Sequence, residues 1–201
     1  MSAQPPDGHT SAPRQKLIDK AVAHASAHGL SDTSLRQLAA ALGTSHRMLI
    51  HHFGSKEGLL VEVVRAVEQR QREVLHELTS DSTGGGDLDD VGGRFWESLN
   101  NEEVAHHERL FFEVYGQALQ GRPWALPLLD GIVDDWIAPM MEFFMAQGAS
   151  EASARVDARL AIAVSRGLLL DVLATGERGA VDAAMRRFTQ LLTASTQQTR
   201  T

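Results

Sequence analysis

The sequence predicts an all-α protein with two parts: an N-terminal three-helix domain containing a helix-turn-helix, and a larger C-terminal helical domain. Three observations carry that prediction. Apolar residues recur at three- and four-residue spacing through most of the 201 residues. Alternating apolar and polar runs of the kind that make strands are missing. Serine and glycine stand where the periodic stretches should be capped and ended. With 43% apolar residues the chain can fill a real core, and its length suits one or two domains.

The elements follow in order. Residues 1–12, within the polar, proline-bearing run MSAQPPDGHTSAP, are expected to be a disordered arm and lack the apolar core of a signal peptide. A first helix is predicted over 13–28, with Pro13 at its start, Gly29 past its end, and Leu17, Ile18, Val22 and Ala25 on one face. Ser34 stands three residues before Gln37 and just ahead of an apolar run, the pattern of a reciprocal capping box. The helix it opens carries Leu35, Leu38, Ala39 and Leu42 inward and leaves Arg36 and Gln37 outside. Gly43 supplies the left-handed turn, and Thr44 or Ser45 can cap the next helix, predicted from about Ser45 to His52. A long connector helix is expected from about Ser55 to Leu78, and DSTGGGD at 81–87 reads as a flexible loop after it. Two further long helices are predicted from about Ser150 to Ala174 and from Arg178 to Ala194.

The helical hairpin points to DNA. With Leu49 and Phe53 directed inward, the second helix shows His46, Arg47, Met48, Ile50 and His51 toward the outside or along its flanks. Arginine can donate two bonds to guanine, imidazole can donate or accept, and Met or Ile can touch a thymine methyl, so these side chains suit the major groove. The formal net charge is −7, but it is unevenly placed. Residues 13–57 hold six Lys and Arg against three acids, a net of +3, and all three lysines of the chain lie there; the rest of the chain, from residue 58, is −9.

Residues 14–65, and above all the run Ile50-His51-His52-Phe53 followed by Gly54-Ser55-Lys56-Glu57, resemble the TetR family of bacterial transcriptional regulators. The resemblance implies a DNA-binding domain over 13–57 and an effector-binding and dimerisation domain over 58–201. It implies that Ser34 and Arg36 open the supporting helix near DNA, that His46, Arg47, Met48, Ile50, His51 and His52 belong to the recognition helix, and that Lys56 holds a phosphate. A lysine in the first turn of a helix fits that role, because unpaired amides there already favour an anion. Ile50 departs from the family, which usually has tyrosine at that position; either affinity is lower or an apolar base contact replaces the lost hydrogen bond.

Nine of the eleven aromatic residues fall between 95 and 144, and Met140, Met141 and Met145 join them. These side chains make either a plain helical core or the lining of an effector cavity, which the resemblance implies in this region. The candidate lining is Phe95, Trp96, Phe111, Tyr115, Trp136, Met140 and Phe144, with Pro139 expected to kink its helix and open space. His107, spaced with Val104, Phe111, Val114 and Ala118, is the first candidate for a polar anchor, with Tyr115 and Glu103 behind it. In the last two helices, Leu160, Val164, Gly167, Leu168 and Val172 form one stripe and Val181, Met185, Phe188 and Leu192 another. They either close the monomer's core or, as the resemblance implies, form a homodimer interface that sets two heads on a palindromic operator.

Other classes find little support. The chain has no cysteine, which fits a reducing cytoplasm and rules out thiolate metal sites. Adjacent histidines diverge on a helix, so neither pair at 51–52 or 106–107 makes a metal site, and no cofactor is expected. No phosphate loop or nucleophile elbow suggests an enzyme. The most apolar stretch is broken by Arg166 and Asp171 and is not a membrane span. The expectation is therefore a cytoplasmic repressor released by a lipophilic or aromatic effector; the alternative is an activator or architectural DNA-binding protein without one.

Overall fold

The computed structural model describes residues 12–30, 32–80, 88–101 and 104–198. The N-terminal arm up to residue 11, the loop at 81–87 and Glu103 lie outside them. The described residues form nine α-helices and one 3-10 turn, with no strand: α1 Ala12–His28, α2 Leu35–Ala41, α3 His46–Phe53, α4 Lys56–Ser80, α5 Leu88–Leu99, α6 Ala105–Leu119, the 3-10 turn Leu126–Leu129, α7 Asp134–Ala146, α8 Glu151–Thr175 and α9 Arg178–Gln198.

Local chemistry sets the geometry of the head. The capping box forms as expected: Ser34 Oγ accepts from the Gln37 amide at 3.3 Å, and Gln37 Oε1 accepts from the Ser34 amide at 3.0 Å. Gly43, at φ 66°, turns the chain, and Ser45 caps α3 by accepting from the Met48 amide at 3.2 Å. Because Ser45 is the cap, α3 runs one residue later than the sequence suggests, from His46 to Phe53. Ser55 then caps α4 through the Gly58 amide at 3.0 Å. Gly58 itself is required by the close turn, since a Cβ there would lie 2.1 Å from the Phe53 carbonyl oxygen.

The apolar seam is continuous across the expected boundary at residue 57. One cluster joins Leu17, Ile18, Leu38 and Leu49 of the head to Leu59, Leu60, Val63 and Val64 of α4 and to Leu110, Phe111 and Val114 of α6. A second gathers the far end of α4 with α5, α7, α8 and α9, and a third, smaller one lies between α5, α8 and α9. α4 thus contributes one end to the head and the other to the body. α7 lies along α8 and α5 along α9, where Gly92 allows an approach so close that a Cβ would meet Thr189 Cγ2 at 2.9 Å.

α7 continues as a helix through Pro139. One expectation is corrected here. The stripe Val181, Met185 and Leu192 is only 2%, 5% and 6% exposed, and Val172 is also buried, because α5 covers that face of α9 and the adjoining end of α8. These residues have almost no surface left for a second copy, and Phe188 is half-buried among them. The outward apolar face is a different one: Val156, Leu160, Ala163, Gly167 and Leu170 on α8, with Leu191 on α9. Val164 and Leu168 flank it, half-buried. Among the described residues no helix is long and apolar enough to cross a membrane.

Gly58→Ala is expected to cost about 2 kcal/mol or more, because backbone rather than a movable side chain blocks the new methyl. Gly116→Ala, with nothing within 4 Å of its Cβ, is expected to be neutral or stabilising. Urea denaturation midpoints of the two variants against the parent check the contrast.

Candidate functional site

The candidate DNA-facing residues are sorted by burial of α3. Leu49 is fully buried and Phe53 nearly so, which turns His46, Arg47, Met48, Ile50 and His51 to solvent. Met48 and Ile50 remain 40% and 39% exposed beside the basic side chains of this face. Ser34 and Arg36 are exposed at the start of α2, and Lys56 sits half-buried in the first turn of α4. His52 does not join this face. Three residues after Leu49, its ring is half-buried edge-on to His51, and its Nε2 is sealed from solvent without a hydrogen-bond partner. Two head cations are also used internally. Arg14 pairs with Glu62 at 2.7 Å and covers the Phe53 ring, while Lys20 donates to the Leu42 carbonyl at 2.9 Å. Lys16, Arg36 and Arg47 are exposed.

A cavity of ≈ 40 Å³ lies in the body between α4, α5, α6, α7 and α8. That is room for about three waters. Phe95, Leu99, Phe111, Trp136 and Met140 give it apolar walls, and its polar lining is Glu68, Gln71, Glu108, Ser165 and Arg166. Glu68 Oε2 accepts from Trp136 Nε1 at 2.9 Å and faces Arg166 at 3.5 Å and Arg72 at 4.0 Å. Burial raises its pKa, the Trp136 bond and the two guanidiniums oppose the rise, and Asp135 adds to it. Glu108 Oε1 accepts from Gln71 Nε2 at 2.7 Å. Burial pushes its pKa up to about 7, against the Gln71 bond and the attraction of Arg166, with Glu68 adding to the rise. A second cavity of ≈ 60 Å³ adjoins the first and shares Phe95, Met140 and Ser165 with it.

Outside this chamber an open groove of ≈ 630 Å³ runs between α1, α4 and α6. Gln71 faces both the groove and the inner cavity. His107, 7% exposed, lines the groove, with Nε2 3.0 Å from the Val22 carbonyl oxygen and 2.9 Å from Ser26 Oγ. A carbonyl only accepts, so Nε2 carries the proton. Burial lowers the His107 pKa, the Val22 bond opposes this, and His106 adds to it.

Residues 17–63 match the model of the family described as bacterial regulatory proteins, tetR family. The head, from α1 into α4, is thus that of the TetR family. It is similar to the HTH-type transcriptional repressor AcnR of Corynebacterium glutamicum, with 32% identity over 89 residues, 44% of this chain and 47% of that protein. The matched part therefore spans about half the length of that relative. Among solved structures, the fold is similar to a transcriptional regulator from Rhodococcus sp. Rha1, with a TM-score of 0.69 at 18% identity over 89% of this chain and 94% of that one. It is also similar to a TetR transcriptional regulator from Legionella pneumophila, with a TM-score of 0.67 at 17% identity over 92% and 98% of the two chains.

Within the body the structure divides the candidate pocket residues. Phe95, Phe111, Trp136 and Met140 line the inner cavity, and Trp96 lines its neighbour while donating to Asp182 at 2.7 Å. Phe144 is buried in the core, and Tyr115 packs beside Phe111 under Arg166. His107 is not the polar anchor of the cavity; its ring holds α1 instead, because residue 107 faces the head while residue 108 faces α4. The cavity's ionisable groups, Glu68, Glu108 and Arg166, were missed by sequence reasoning. One signal was present: Glu68 interrupts the buried stripe of α4 at helical spacing between Val64 and Leu75.

Unfolded, Glu108 titrates near 4.5, and folded near 7. Between those values the folded chain keeps a proton that the unfolded chain has lost, so this group removes stability as pH rises and the loss levels off above about 7. His107, lowered from 6.5, acts oppositely and removes stability as pH falls below that value. Glu108→Gln keeps a partner for Gln71 and abolishes the titration. Urea midpoints at pH 5, 6.5 and 8 are expected to show a flatter profile, with the variant more stable at pH 8 by on the order of 2 kcal/mol. An unchanged slope would exclude Glu108 as its source.

Proposed function

We propose that the protein is a transcriptional regulator that binds a palindromic DNA operator as a homodimer and acts as a repressor released by a small effector with a lipophilic or aromatic body. The observation that carries this reading is the exposed face of α3, where Arg47, His46 and His51 stand beside Met48 and Ile50 on a helix whose opposite face is buried. Arg47 is the candidate for a bidentate bond to guanine, and the two apolar side chains are candidates for thymine methyl contacts. Ser34, Arg36 and Lys56 lie at the starts of α2 and α4 and suit phosphates. AcnR is named a repressor, which favours repression here.

Dimerisation is assigned to the outward face of α8 with Leu191 of α9. Val156, Leu160, Ala163, Gly167 and Leu170 are spaced four, three, four and three residues apart, the repeat of a helix seam. Gly167 has open space beyond its Cα and lets a second helix come close. A two-fold axis there would set the two recognition helices about one DNA turn apart, roughly 34–36 Å. An effector in the central cavity would act through α4, whose first turns pack in the head and whose middle lines the cavity. Release requires that the effector bind the induced form more tightly than the DNA-bound form.

Mobility-shift titrations on the DNA upstream of its gene are expected to give saturable, salt-sensitive binding, with Arg47→Ala weakening it by about 1–3 kcal/mol. Binding of random DNA with equal affinity would sink the operator reading. Leu160→Asp together with Leu170→Asp is expected to yield a folded monomer in sedimentation experiments and to lose operator binding. A dimer that persists would place the interface elsewhere.

A further inference from the structure

Resting on the reading of the central cavity as an effector site, we propose that its effector is a cation: a slender molecule with an apolar or aromatic body and one protonated amine, which Glu108 binds in place of Gln71.

The charges around the cavity lead to this assignment. The ion pairs of the region go to Glu68, which faces Arg166 and Arg72 and accepts from Trp136. Among the described residues none reaches Glu108, whose one hydrogen bond comes from a neutral amide. The groups facing it are Glu68 and Gln71 from α4 and Arg166 from α8; α5 and α7 present only apolar or aromatic side chains to the cavity. Arg166 is committed elsewhere, donating to the Ile132 carbonyl at 2.6 Å and covering the rings of Phe111 and Tyr115. A buried carboxyl in that position is satisfied either by keeping its proton or by receiving a cation. An anionic ligand would meet two carboxyl groups with the nearby guanidiniums already engaged. A protonated amine replaces the Gln71 hydrogen bond with a charge-assisted one, which a quaternary ammonium has no N–H to make.

Geometry supplies the route and the room. Gln71 forms part of both the inner wall and the outer groove, so its swing away from Glu108 opens the one toward the other. Phe95 and Met140 line both inner cavities, and a rotamer change of these two joins the spaces into a longer slot for the ligand body. The groove mouth is also where His107 holds Val22 and Ser26 of α1. A ligand entering there passes the contact between body and head.

Three probes of matched shape test the charge: 4-phenylbutylammonium, 4-phenylbutan-1-ol and 4-phenylbutanoate, titrated calorimetrically into the full chain at pH 8. The amine is expected to bind at least about tenfold more tightly than the alcohol, with no binding of the carboxylate. In Glu108→Gln the preference is expected to vanish. At pH 6 the amine should displace the Glu108 proton, so its heat should vary with the ionisation enthalpy of the buffer, which needs no variant to read. Equal or tighter binding of the alcohol or carboxylate would overturn the cation while leaving the cavity as the effector site. Failure of all three to bind would remove both. A preference for the amine that survives in Glu108→Gln would overturn the role of Glu108.

Discussion

The apolar seam between α1, α4 and α6 is the contact on which the rest of the molecule depends, because the head cannot hold itself together. α2 and α3 have seven and eight residues, below the length at which isolated helices persist in water. Their buried residues close against Leu59, Leu60, Val63 and Val64 of α4 and share one core with α6. His107 adds a directed bond to that seam by donating from Nε2 to the carbonyl of Val22. The exposed face of α3 is therefore positioned by helices that also belong to the body. A shift of α4 or α6 reaches α3 through packed side chains rather than through a linker.

The body holds carboxyl groups where apolar residues would pack with less cost. Removing a carboxylate from water costs several kcal/mol, and partners return only part of that. Glu68 meets two guanidiniums and an indole N–H, an arrangement that fixes the relative positions of α4, α7 and α8. Glu108 has only the Gln71 amide. The contrast between a compensated and an uncompensated carboxyl on one cavity wall is the chemical asymmetry that a ligand can use.

Charge is also divided along the chain. The body carries most of the acidic excess, and within the basic head Arg14 and Lys20 serve the fold by pairing with Glu62 and by closing the end of α2. On the proposed reading each phosphate contact would contribute by releasing counterions, so a small set of contacts would give modest affinity for one head, and two heads on one operator would be far more effective.

What could be read from sequence was local. The Ser34–Gln37 capping box, the glycine turn at 43, the serine caps and the inward direction of Leu49 and Phe53 all depend on residues within one or two turns of each other, and their geometry follows from spacing. The TetR-like run at 50–57 was equally local. The sequence by itself thus determined the helices, the solvent-facing set of α3 apart from His52, and the presence of aromatic and apolar faces in the body. Only the tertiary structure decided what those faces meet. An apolar stripe records that a face is buried but not by which partner, so the choice of α5 for the stripe of α9 could not be read from period alone. His107 reaches a carbonyl 85 residues away, and Glu68 meets Trp136 across 68. Such pairings are set by helices packing at fixed distances in three dimensions, and that packing turned a candidate histidine anchor into a clamp on the head and brought two unheralded glutamates to one cavity.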